Sequence, residues 1–360
     1  MVELEEQAAI EPLQKLSKDL KLAARLIKTK EARYLVGLYY QVQKLRTITS
    51  NQVDQVENLE PSGVLRWIAN NTWTIERNIK TSMGIFAGSY RVGAWMQSIT
   101  GIGEILSAGF LSHLDIRRAP TASNLYSYCG INPKQKWYSA EDAKRIYSQE
   151  SNRMGVKAPF NEEFVAHVEK VAEIQPGVLG RRKEFLFGKR DDGVPLAWTT
   201  DRLSKAICMR PHNEFMHVLC YKLGDCFIKN QNHKNDYYGK YYVMRRAQED
   251  AKSESGQFKD QAAAVLERKK LGKETEARKA YEKGELPDAH LLARARRWAV
   301  KLFLSHLHTA MYEDYYGKAA PVPYCFSDHI GERHQDYLKP PGWEDFKGRE
   351  DLKGLRDLLS

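Results

Sequence analysis

Residues 98–116, SITGIGEILSAGFLSHLDI, set two glycines, Gly101 and Gly103, around a single isoleucine and follow them at once with an apolar run. Glycine lets a turn pass close to another group because no Cβ stands in the way. The run after it has the spacing of an amphipathic helix, so the turn joins two helices. It reads in two ways. In one, glycine serves only a tight helix connection. In the other, the turn grips a phosphate, because the N–H groups of a helix's first turn lack intrahelical acceptors and attract anions. Thr100, Gly101, Ile102 and Gly103 would make that contact, with Arg91 before the turn and Arg117 and Arg118 after it supplying charge. A grip of this kind holds backbone without reading bases.

Working outward, helical periodicity dominates. From Glu3 to about Thr47, leucines recur among charges as in a helix pair or coiled coil, and a turn at Glu60–Gly63 follows. Val64, Trp67, Ile68, Ile75 and Ile79 then mark one face of a further helix. TASNLYSYCGINP (121–133) is a helix stopped by Gly130 and Pro133. YSAEDAKRIYSQ and NEEFVAHVEKVAEI predict two amphipathic helices. PGVLGRRKEFLFGKRDDGVPLAW (176–198) predicts a loop with a short hairpin around Phe185–Phe187, those aromatics packing as its core or stacking on bases. The charged segment 247–285 predicts a solvated helix or helix pair, and 288–317 the strongest helix of the C-terminal half. The fold class is therefore mainly α. The divisions are a coiled-coil-like region (1–85), a helix-hairpin-helix unit (86–135), a small α(+β) insertion (136–200), a helical region forming a C-terminal bundle (201–318) and a surface-packed tail (319–360).

Lys and Arg number 56 against 46 acids in 360 residues, a formal net charge of +10. That excess favours a polyanionic partner, nucleic acid being the usual one. On the last long helix Arg294, Arg297 and Lys301 share one face, while Leu291, Ala295, Trp298 and Leu302 form the expected core face. The basic stripe suits a phosphate track, and equally a solvated helix surface. Arg181, Arg182, Lys183, Lys189 and Arg190 form a second basic cluster.

Five cysteines without a CxxC pair predict reduced core thiols in a cytoplasmic protein; no stretch has the length of a membrane span, and the acidic N-terminus is not a signal peptide. His290, His306, His308, His329 and His334 gather late with Cys325, but His306 and His308 would point to different faces of a helix. Surface or interface histidines are expected, with no metal site and no cofactor. Asp115, Asp191, Asp192, Asp201 and Asp225 are too scattered for a two-metal nuclease centre. A serine nucleophile needs only a positioned hydroxyl, which leaves Ser139 and Ser204 open.

As a whole, MQSITGIGEILSAGFLSHLDIRRAPTASNLYSYCGINP (96–133) resembles the C-terminal domain of the one-ten group of insertion-sequence transposases. These DEDD enzymes include the pilin-gene inversion recombinase and the bridge-RNA-guided elements. The family's IPGIG, GDIRRF and YAGLxP segments correspond to Ile99–Gly103, Leu114–Arg118 and Tyr128–Pro133. RLSKAICMRPHNEFMHVLCYKLG (202–224) and ARARRWAVKLFLSHL (293–307) resemble its later helices. The resemblance implies DNA, or DNA with structured RNA, as partner and a role in transposition or site-specific recombination. It also implies a catalytic serine near Ser139, although the family's flanking glycines are absent here. The family's RuvC-like nuclease domain has no counterpart in residues 1–90, which resemble the coiled-coil helices that link its domains. A RuvC-like subunit acting in trans and a homo-oligomer through the N-terminal helices are the expected partners. An active serine-using recombinase subunit and a structural, oligomeric mobile-element or phage protein are the alternatives.

Overall fold

The computed structural model describes residues 18–56, 63–131, 137–188, 193, 196–269, 271–272, 274–321 and 338–360. Among them no strand forms, and the mainly α reading holds. The chain begins with α1 (Lys18–Ala24), α2 (Thr29–Val56), α3 (Gly63–Gly88), α4 (Arg91–Ser98) and α5 (Glu104–His113). After a 3-10 turn at Ile116–Arg118 come α6 (Ala122–Tyr128), α7 (Ala140–Met154), α8 (Glu162–Val171), α9 (Val178–Phe187) and α10 (Thr200–Cys208). Then follow α11 (Glu214–Lys229), α12 (Tyr238–Glu254), α13 (Lys259–Arg268), α14 (Glu276–Glu282), α15 (Asp288–Tyr316), α16 (Glu344–Lys347) and α17 (Leu355–Leu359). Two compact units result, one of residues 1–125 and 218–360, the other of residues 126–217.

In the first unit α2 and α3 pack along one another, and both pack on α5. The sequence predicts an amphipathic α5; instead every residue from Ile105 to Ser112 is buried. Small residues make this central position workable: a Cβ on Gly109 would lie 2.8 Å from Leu219 Cδ2. Around α5 an aromatic core joins α4, α11, α12 and α15. Trp95 stacks on Phe303, Phe110 tilts against Phe303, and Phe227 stacks on Tyr238. The tail is not simply a surface layer. Trp343 is 1% exposed, edge-on to Trp95, and its indole N–H donates to Glu313 at 3.1 Å. A large aromatic gains more from that burial than any surface seat offers.

The histidines also depart from expectation, since His306 and His308 are buried. His306 Nε2 lies 2.8 Å from the Leu338 carbonyl and Nδ1 2.8 Å from the Tyr238 hydroxyl. A single neutral tautomer satisfies both contacts, with Nε2–H donating and Nδ1 accepting. His308 Nε2 donates to Ala119 O. Cys325, His329 and His334 lie outside the described residues. Cys129 and Cys220 are buried and Cys208 and Cys226 half-buried, none of the four in a disulfide.

The second unit packs Phe160, Phe164, Val168, Leu179, Trp198, Leu203 and Ile207 between α7, α8, α9 and α10. Ser139, Asn161 and Thr199 are the N-caps of α7, α8 and α10, each accepting the N–H three residues on. Buried Glu169 accepts the N–H groups of Gly177 and Leu179 at 2.8 and 2.7 Å, fixing the entry to α9. The hairpin expected around Phe185–Phe187 is absent, because that stretch is the last turn of α9. Gly177 (φ +73°) and Gly188 (φ +71°), which read as loop signals, bound a helix of good formers instead. An isolated antiparallel bridge joins Phe160 and Trp198 in this unit, and a parallel one joins Tyr90 and Lys353 in the first.

Candidate nucleic-acid interface

The turn between α4 and α5 divides its labour between its two glycines. Gly101 has φ +91°, a region other residues rarely adopt, and a Cβ there would sit 3.1 Å from Asn230 Nδ2. Thr100 Oγ1 donates to Asn235 O at 3.1 Å, and Ile99 and Ile102 are buried. This side of the turn is packed on the segment after α11, which no sequence signal marked. Gly103 differs. It is exposed, has ordinary extended φ of −89°, and has nothing within 4 Å of where a Cβ would be. As N-cap of α5 it offers no side chain, so the first-turn amides carry no side-chain cap. Glu104 follows it, paired with Lys80 at 3.5 Å.

The arginines read with the turn are not beside it. Arg91 begins the eight-residue α4, about 12 Å of helix before the turn, and Arg117 and Arg118 follow the ten-residue α5, about 15 Å beyond it. Arg91 is tied to Asp314 at 3.2 Å and to the Arg349 carbonyl at 2.7 Å. Burial raises the Asp314 pKa, while the Leu355 N–H and Arg91 oppose that rise. Arg117 holds Asp115 with two bonds of 2.9 Å and also donates to Leu359 O; Arg118 is exposed without an ion pair among the described residues.

The stripe on α15 is partly absorbed into packing. Arg294 donates to Glu249 at 2.5 Å, and Glu249, 0% exposed, also pairs with Arg245. Arg297 is exposed, with Nε on the Ala293 carbonyl, and Lys301 is half-buried. Leu291 and Ala295 are buried as the core face requires, whereas Trp298 and Leu302 are only half-buried.

In the second unit, Lys183 is buried over the Trp198 ring at 4.1 Å, and Arg182 donates to Ala206 O. Phe185 is 77% exposed, so it does not pack as core. Lys189, Arg190, Asp191 and Asp192 lie outside the described residues. Asp201 and Asp225 pair with Lys205 and Arg296. Ser139 Oγ donates to Asp142 Oδ2 at 2.8 Å while capping α7. Among the described residues no group of His, Cys, Asp or Glu is placed to hold a metal ion, and no helix is long and apolar enough to cross a membrane.

The turn therefore leads into a buried central helix whose N-cap, Gly103, is exposed and carries no side-chain cap. Residues 94–153, about a sixth of the chain, match the model of the Transposase IS116/IS110/IS902 family. The matched segment runs from α4 through the turn and α5 to the end of α7, and is consistent with the C-terminal domain of these transposases. Over this segment the chain is similar to these transposases. No curated protein and no solved structure matches it.

Proposed function

We propose that the chain binds nucleic-acid backbone during DNA transposition or site-specific recombination, with the exposed Gly103 N-cap of α5 as a phosphate contact. The transposase-family match across the turn is the observation that carries this reading. The exposed glycine N-cap and the net charge of +10 support it. DNA, alone or with structured RNA, is the partner. The protein works in the cytoplasm as a homo-oligomer through its N-terminal helices. The α3 stripe supports that assembly: Met83 and Phe86 are fully covered at one end, while Val64 is 61% and Trp67 39% exposed at the other.

Duplex binding by the full chain, followed by fluorescence anisotropy, tests the reading. Gly103→Glu should leave folding intact, because the site is open and φ ordinary, and should weaken binding about tenfold. Unchanged affinity would remove the turn as the contact.

A further inference from the structure

The far ends of α4 and α5 meet the α1–α2 corner and the last residues of the chain, and a cavity of about 750 Å³ opens there. Six cations line it: Arg25, Lys28, Lys30, Arg33, Arg117 and Lys353. Glu31, Asp115 and Asp357 share the lining but do not neutralise it. Asp115 is held by Arg117, and Asp357 keeps its charge while accepting the Gly354 N–H at 3.0 Å, so six cations face three carboxylates and the excess is positive. Arg33 and Lys353 donate to the carbonyls of Ser112 and Arg25, at 2.6 and 3.0 Å. A carbonyl satisfies a donor without cancelling its charge, so these contacts fix two cations in the wall and leave them positive. Arg25, Lys28 and Lys30 are exposed and make no ion pair or side-chain hydrogen bond among the described residues.

A concave wall with an excess of one sign focuses its field into the cavity, and the volume is that of a site for a nucleotide-sized group. We propose that this cavity binds the phosphates of a nucleic-acid strand, as a contact separate from the Gly101–Gly103 turn. It rests on the reading that the chain holds nucleic acid. Arg117, read from the sequence as a companion of the turn, belongs instead to this second site. Arg25, Lys28 and Lys30 supply its unpaired charge, and Arg33 and Lys353 its fixed charge.

The test compares the full chain with an Arg25→Ala, Lys28→Ala, Lys30→Ala variant on a labelled random-sequence duplex over a salt series. The three side chains have no partner among the described residues, so an unchanged melting temperature should verify folding. A control variant, Lys157→Ala, Lys170→Ala, Lys283→Ala, removes the same charge from exposed positions elsewhere. Each phosphate contact contributes about 0.9 to the slope of log affinity against log salt. The cavity variant should therefore lose about two to three units of slope and at least about tenfold in affinity at low salt, the control less than about one unit. A cavity variant that matches the parent, or a control that loses as much, overturns the site while leaving duplex binding by the turn in place. A parent chain that fails to bind duplex overturns both readings together.

Discussion

Ser139 uses both sides of its hydroxyl: the oxygen accepts the Asp142 N–H at 3.1 Å, and its proton goes to the Asp142 carboxylate at 2.8 Å. Loss of such a cap costs about 1 kcal/mol, and Asn or Asp replaces it at little cost. Ser139→Ala should therefore lower the stability of the second unit by about that amount, while Ser139→Asn restores it. Strand-transfer assays of the same pair divide capping from attack on DNA. If the serine is a nucleophile, Ser139→Asn stays inactive despite its restored melting temperature; if it only caps, Ser139→Asn is fully active. The two glycines of the turn show a similar division. Gly101 answers to packing and positive φ, and Gly103 to neither, although the sequence presents them as equivalents.

Among the elements, long periodic helices were the most legible. The α7 and α8 faces and their Ser and Asn caps follow directly from 3.6-residue spacing and local hydrogen bonding. What escaped was set by contacts distant in sequence. From Ile105 to Ser112, α5 shows no solvent face because α2, α3 and α4 pack around it. The glycines bounding α9 look like loop signals until Glu169 is seen fixing its start. Of the five apolar residues that the spacing places on one face of α3, only Ile79 is buried; Val64, Trp67, Ile68 and Ile75 are exposed, and the covered line runs through Thr72, Glu76, Ile79 and Met83 to Phe86. If the exposed residues meet a second copy, Val64→Glu with Trp67→Glu should convert an oligomer to monomer, read by size-exclusion chromatography with light scattering. A parent chain of monomer mass would contradict that assembly.

For the whole molecule, charge and burial act together. Burial lowers the His306 pKa to about 4, more than the Leu338 hydrogen bond raises it. An unfolded histidine titrates near 6.5, so between about pH 6.5 and 4 the unfolded chain binds a proton that the folded chain refuses. Stability is then fully present above about pH 6.5 and falls on acidification, by about 1.4 kcal/mol per pH unit for this histidine. His306→Gln should flatten that slope in denaturant titrations at several pH values. The candidate interface was half legible for a related reason. Sequence order identified the turn and the arginines, but helix length carries Arg91 and Arg117 to its opposite side, beside cations that no motif contains. The central claim, that this chain holds nucleic-acid backbone, is met most directly by its affinity for random-sequence duplex DNA across a salt series. The account predicts a linear fall of log affinity with log salt, about 0.9 for each phosphate contacted and the same for unrelated sequences. Affinity that does not change with salt, or no binding at low salt, would contradict it.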